Sequence, residues 1–138
     1  MHFIFDLMRK IIRGKLHGDK VVLWGDGFQS REVVYLEDFV RIAMRLSQTR
    51  ENDLINLGSG ESRTIREYAA LICDKVRFDF SSIRFDTGRY VGARSKSLDI
   101  HKLKTILPDC HFTPLETGID ATVDWFMTEG NRALGPRN

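Results

Sequence analysis

The sequence predicts a single mixed α/β domain built from short strands, and three observations carry that expectation. Short β-branched runs alternate with stretches of helical periodicity along the chain. Two Gly-x-Gly turns and two capping-box patterns punctuate them. The 138 residues suit one domain and are enough to bury a real core.

The elements follow in order. A first helix is expected over residues 3–13, with Phe3, Ile4, Leu7, Met8, Ile11 and Ile12 on one broad face and Arg9, Lys10 and Arg13 elsewhere. The β-branched run Val21–Trp24 reads as a strand, Gly25–Ser30 as a turn, and Glu32–Leu36 as a second strand. A helix over 37–47 follows, its early acids Glu37 and Asp38 suited to the positive end of the helix dipole. Leu54–Leu57 reads as a strand and 58–63 as a loop. Thr64-Ile65-Arg66-Glu67 is a capping box opening a helix over 65–76. Residues 82–86 read as a strand, and Asp99 as the cap of a short helix over 100–107 that Pro108 ends. Thr113-Pro114-Leu115-Glu116 reads as a second capping box with proline at the first helical position. It opens a last helix over 114–127, weakened by about 1 kcal/mol at Gly118. The tail 131–138 reads as frayed.

Composition is that of an ordinary globular domain, 42% hydrophobic and 29% charged. A formal net charge of +2 gives no pull toward nucleic acid or membrane. No apolar run approaches the ~20 residues of a membrane span, and the N-terminus has neither the charge order nor the cleavage site of a signal peptide. Cys73 and Cys110 lack a CxxC spacing, so a reduced, cytoplasmic setting is the simpler expectation, a disulfide between them the alternative.

A dinucleotide loop needs a strand before it, three spaced glycines, and a helix whose first amides meet the pyrophosphate. Gly25-Asp26-Gly27 has the strand, but a strand follows it and Asp26 would set a negative charge beside the phosphate. Gly58-Ser59-Gly60 does lie between strand and helix, yet Arg63 stands where the third glycine belongs and Thr64 already claims the helix amides. It reads as a turn plus a helix cap, although Asp79 lies roughly where a ribose-binding acid would. His2, His17, His101 and His111 show no metal-ligand spacing. Cys110 and His111 are merely adjacent, there is no GxSxG, and Glu32, Asp86 and Asp99 are acids with nothing to pair them. The cations Arg31, Arg89, Arg94 and Lys96 stand in or beside loops, where binding residues concentrate.

The succession VVLWGDGFQSREVVYLEDFVRIAM, INLGSGESRTIREYAALI, FDTGRYVGARSKSLDIHKL and TPLETGIDATVDWF resembles the C-terminal part of the extended short-chain dehydrogenases, the NAD-dependent epimerase/dehydratase family. The nearest look is to GDP-fucose synthase and UDP-glucose 4-epimerase-like proteins. The resemblance implies an α/β chain, namely the small mixed α+β substrate-binding part of such an enzyme, lacking most of the Rossmann sheet. It implies a nucleotide diphosphate sugar as ligand. Trp24 resembles the residue packed near the base, and Arg31 and Arg89 resemble the basic groups on the diphosphate. Phe3, Leu7 and Lys10 resemble the substrate-facing positions of the first helix, and Arg94 stands one position before the family's usual arginine.

The family's catalytic set is a GxxGxxG loop and a Tyr-x-x-x-Lys pair, with NAD(P) as cofactor. Four residues after Tyr35, Tyr68 and Tyr90 stand Phe39, Ile72 and Arg94, so these 138 residues hold no such pair. The expectation is a chain with no catalytic residue and no cofactor of its own, inactive in hydride chemistry alone, whose sequence starts just past the family's catalytic segment. A separate N-terminal cofactor-binding half is the implied partner. An unpaired INLG edge would favour a homo-oligomer. The alternatives are a stand-alone nucleotide- or RNA-binding module, against which the near-neutral charge argues, and a non-binding structural remnant.

Overall fold

The structure, a computed structural model, describes residues 3–129; the tail 131–138 and His2 lie outside the described residues. Helix α1 (Phe3–His17) is followed by strands β1 (Val22–Trp24) and β2 (Ser30–Glu32), then helix α2 (Leu36–Thr49). Strand β3 (Ser62–Thr64) runs directly into helix α3 (Ile65–Val76). A 3-10 turn at Phe80–Ser82 leads to β4 (Arg84–Asp86), then β5 (Ser95–Lys96), α4 (His101–Ile106) and α5 (Leu115–Thr128).

Two small sheets result. β1 pairs with β4 in parallel, Trp24 standing opposite Asp86. In the other sheet β2 is central, antiparallel to β3 and parallel to β5. The main core joins α1, α3 and α5, with Ile11, Tyr68, Ile72 and Phe126 wholly buried. A second cluster seats Ile42 of α2 against Ile100, Leu103 and Leu107. Asp38 ties the parts together: its buried carboxylate accepts from the Thr113 amide at 2.7 Å and pairs with Arg41 at 2.6 Å.

Several expected boundaries move, each for a physical reason. α1 does not stop before Gly14: this glycine packs inside the helix, where a Cβ would lie 2.5 Å from Val21 Cγ2. The terminating glycine is Gly18, in the left-handed region with φ +71°. The second strand lies at 30–32 rather than 32–36, because pairing fixes a strand and its partners lie at 62–64 and 95–96. Residues 62–64, expected as loop, are that partner. Leu54–Leu57 forms no strand: no strand of the described residues pairs with it, and the Leu54 carbonyl is held by Lys102 Nζ at 2.9 Å. The fourth strand starts at 84 because Asp79 draws residues 80–82 into the 3-10 turn, accepting from the Ser81 amide at 2.9 Å.

The Thr64 capping box is present in both halves, with Glu67 N–H on Thr64 Oγ1 and Thr64 N–H on Glu67 Oε2. The second box does not form. Pro114 keeps an extended ψ of 140° and is itself the cap position, so α5 starts at Leu115. Asp99 takes the His101 amide at 2.8 Å but stands one residue before the cap position, which is Ile100.

Candidate functional site

The two glycines of the 25–27 turn let the chain leave β1 and return as β2. Both take positive φ, +80° at Gly25 and +79° at Gly27, and a Cβ on Gly27 would run into the Phe85 ring. Asp26 Oδ1 accepts from the Phe28 amide at 2.9 Å, closing the turn on itself. The Gly27 and Gln29 carbonyls then accept from the Arg66 and Ile65 amides at the start of α3. With the Glu67 amide on Thr64, the first three amides of that helix are all taken. Neither glycine turn therefore fits a dinucleotide pyrophosphate: one carries Asp26, and the other precedes a helix with no first-turn amide to offer.

What the turn does is present side chains. Trp24 ends β1 with 56% of its surface exposed. The Arg89 guanidinium lies 5.5 Å from the Trp24 ring centroid, and its Nε is 3.6 Å from Asp86 Oδ2, the register partner of Trp24. An exposed indole, a cation over it and a carboxylate steering the cation thus share one strand end. The loop that carries Arg89 also receives Arg31. The Arg31 guanidinium donates to the Ser30 carbonyl at 2.7 Å and more loosely to the Val91 carbonyl at 3.5 Å. Its own carbonyl accepts from Tyr68 Oη at 3.0 Å, and burial pushes the Tyr68 phenol up to about 12.

Register places two more cations beside Arg31. Across the three-stranded sheet, Arg63 of β3 and Lys96 of β5 stand directly opposite it, so three basic residues in a row share one face. Among the described residues no carboxylate pairs with Arg31 or Lys96, while Arg63 has a loose 3.7 Å pair with Glu61 and, after the Thr64 hydrogen bonds, helps to hold the Glu67 carboxyl below its ordinary value. Lys96, not Arg94, is the register partner of Arg31; Arg94 is exposed, and its carbonyl accepts from the Ser30 amide.

The first-helix candidates divide. Phe3 packs edge-on to Tyr68, 5.5 Å between centroids, one contact from Arg31. Leu7 is only 3% exposed in the main core, and Lys10 is paired with Asp6 at 2.9 Å. On Asp6 burial works to raise the carboxyl, but hydrogen bonds from Arg9 and Lys10 prevail and hold it below the ordinary value.

Glu32, an acid with nothing to pair it in the sequence, finds its partners in the fold. Its carboxylate accepts from the Gly60 amide at 2.9 Å and the Leu98 amide at 2.8 Å, with a longer contact to Ser59 Oγ. It pins the 58–60 loop and the end of β5 to β2. A cleft of about 670 Å³, lined by Val33, Tyr35, Glu61, Tyr68, Phe112 and Trp125 among others, borders this region through Tyr68 and Glu61, although Trp24, Arg31 and Arg89 do not line it. Cys73 and Cys110 are both free thiols, burial pushing Cys73 up to about 11. No three His, Cys, Asp or Glu side chains cluster as a metal site among the described residues, nor is any helix there long and apolar enough to cross a membrane.

Comparison with known proteins agrees with this architecture. Residues 1–58 match the model of the NAD dependent epimerase/dehydratase family. A dTDP-4-dehydro-6-deoxy-D-allose reductase from Streptomyces bikiniensis is 35% identical over 109 residues, covering 79% of this chain and 33% of the reductase. GDP-L-fucose synthase 1 from Arabidopsis thaliana is 30% identical over 131 residues, covering 91% of this chain and 39% of the synthase. The crystal structure of a GDP-L-fucose synthetase from Naegleria fowleri bound to NADP matches with a TM-score of 0.88 at 26% identity, covering 97% of this chain and 42% of that one. The chain thus spans well under half the length of these relatives, and its small mixed sheets correspond to part of a larger fold.

Proposed function

We propose that this chain, which belongs to the NAD dependent epimerase/dehydratase family, grips the nucleotide part of a nucleoside-diphosphate sugar and performs no hydride chemistry by itself. The observation that carries this reading is the Arg89 guanidinium held 5.5 Å over the exposed Trp24 ring, on the same loop that receives Arg31. An exposed indole offers a flat apolar wall to a base. Guanidinium groups hold a diphosphate through paired, charge-assisted hydrogen bonds. Trp24, Arg31, Arg89 and Lys96 are the ligand-facing residues of this reading, with Phe3 behind them through Tyr68.

Neither glycine turn fits a dinucleotide pyrophosphate. The reading leaves NAD(P) to a cofactor-binding half, carried elsewhere on a longer chain or on a partner. Self-association belongs to the same proposal, but not through the expected INLG strand edge, since residues 54–58 form no strand; the Leu54 side chain, 88% exposed, is what would carry it, and a clean monomer in light scattering refutes that part.

Calorimetric titration with UDP, GDP and dTDP tests the central claim. The wild-type chain should bind at least one of them, and Arg31→Ala and Arg89→Ala should each weaken binding about tenfold or more. Equal binding by all three proteins overturns the reading, as does RNA binding with a steep salt dependence in place of nucleotide binding. Reproducible turnover of a nucleotide sugar with NAD(P) would refute the claim of inactivity.

A further inference from the structure

Arg63 belongs to no motif that sequence reading could connect to ligand binding. It stands in a stretch that reads as loop, where a dinucleotide fingerprint would carry glycine. Its register makes it notable. β3 runs antiparallel to β2 with Arg63 directly opposite Arg31, and Lys96 stands opposite Arg31 on the other side. Adjacent strands lie about 4.8 Å apart, so the three side chains rise from one face within about 10 Å. Like charges directly opposite each other destabilise a sheet. The row is relieved only at one end: among the described residues Arg31 and Lys96 have no carboxylate partner, while Arg63 has a long pair with Glu61, between side chains 42% and 69% exposed, and a charge interaction with Glu67. A row of like charges compensated at only one end marks a place where function is expected to supply the balance.

The geometry points to Arg63 as a third anion-binding residue, one that docks the diphosphate of the ligand together with Arg31 and Lys96. This rests on the reading of the site as a nucleoside-diphosphate grip, and deepens it. The guanidinium fork supplies two donors where an ammonium would supply a point charge. The diphosphate brings about two negative charges to a row of three positive ones, converting mutual repulsion into shared attraction. Arg63 is also well placed to act without disturbing the fold, since its side chain is 42% exposed and outside the core.

The test uses the full 138-residue chain and the nucleoside diphosphate it binds best among UDP, GDP and dTDP. Arg63→Gln should weaken binding about tenfold, and Arg63→Lys, which keeps the charge, should recover most of that loss at low salt. Melting of the ligand-free protein supplies the second readout. Removing one of three repelling cations should leave the melting temperature of R63Q at or above the wild-type value, most visibly at low salt. If R31A loses binding while R63Q binds as the wild type does, the inference about Arg63 is overturned and the reading of the site stands. If R63Q melts several degrees lower and its binding loss follows the unfolding, Arg63 is structural and the inference is equally overturned. If the wild-type chain binds none of the three nucleotides, the site reading itself fails, and the inference with it.

Discussion

Replacing Glu32 by glutamine tests whether this carboxylate holds the cationic row in register. The β2–β5 ladder contains only two residue pairs, ending at Arg31 and Lys96. Beyond it the Glu32 side chain continues the attachment, Oε2 accepting from the Leu98 amide at 2.8 Å while Oε1 accepts from the Gly60 amide at 2.9 Å. Glutamine retains one acceptor oxygen and turns an NH2 group toward the other amide, so one charge-assisted bond is lost and two donors face each other. Such bonds contribute about 1.5–3 kcal/mol. Glu32 is half-buried, which favours the lower part of that range, so the expected cost is about 2 kcal/mol. For 138 residues the unfolding entropy near the transition is about 0.3 kcal/mol/K. The melting temperature should therefore fall by about 7 °C. Hydrogen exchange locates the effect: the Gly60 and Leu98 amides should lose protection before the core helices do. A melt within about 1 °C of wild type, with both amides still protected, would refute the reasoning.

Two further predictions concern pH. On Asp38 burial works to raise the carboxyl, but the Thr113 amide and the Arg41 guanidinium prevail and hold it below the ordinary value. Its contribution is present above the unfolded carboxylate value near 4 and is lost as pH falls through the lower folded value; Asp38→Asn should flatten that acid limb and cost about 2 kcal/mol at neutral pH, read from melts between about pH 3 and 7. Burial lifts Tyr68 to about 12, so stability present below about pH 10 should decline as pH rises toward that value; Tyr68→Phe should blunt the decline and cost about 1 kcal/mol at neutral pH through the lost bond to the Arg31 carbonyl, measured by urea unfolding.

The residues that sequence reading placed correctly have partners close by in the chain. The Thr64 capping box closes over three residues, and the 25–27 turn is fixed by two glycines and Asp26. Both can be read without knowing anything else about the fold. Apart from the second capping box, where Pro114 itself takes the cap position, the errors come where a distant partner decides. Val33 and Val34 have the stronger strand propensity, yet Ser30–Glu32 is the strand, because only there do β3 and β5 supply a ladder. Leu54–Leu57 has the propensity and no ladder, and forms none.

The same distinction runs through the candidate site. Trp24 and Arg89 could be singled out on residue type and resemblance, but not their stacking, which depends on Asp86 standing opposite Trp24. Glu32 reads as one unpaired acid among several, since the amides it holds lie at positions 60 and 98. Arg63 and Lys96 become neighbours of Arg31 only once two strand registers are known, and a shift of one residue in either would turn one cation to the opposite face. The row is thus a property of pairing rather than of any local pattern. That is why Glu32, which contacts no ligand in this reading, is placed to govern whether the row exists: one residue past Arg31, it holds the chain two residues past Lys96, just beyond the point where the β2–β5 pairing ends.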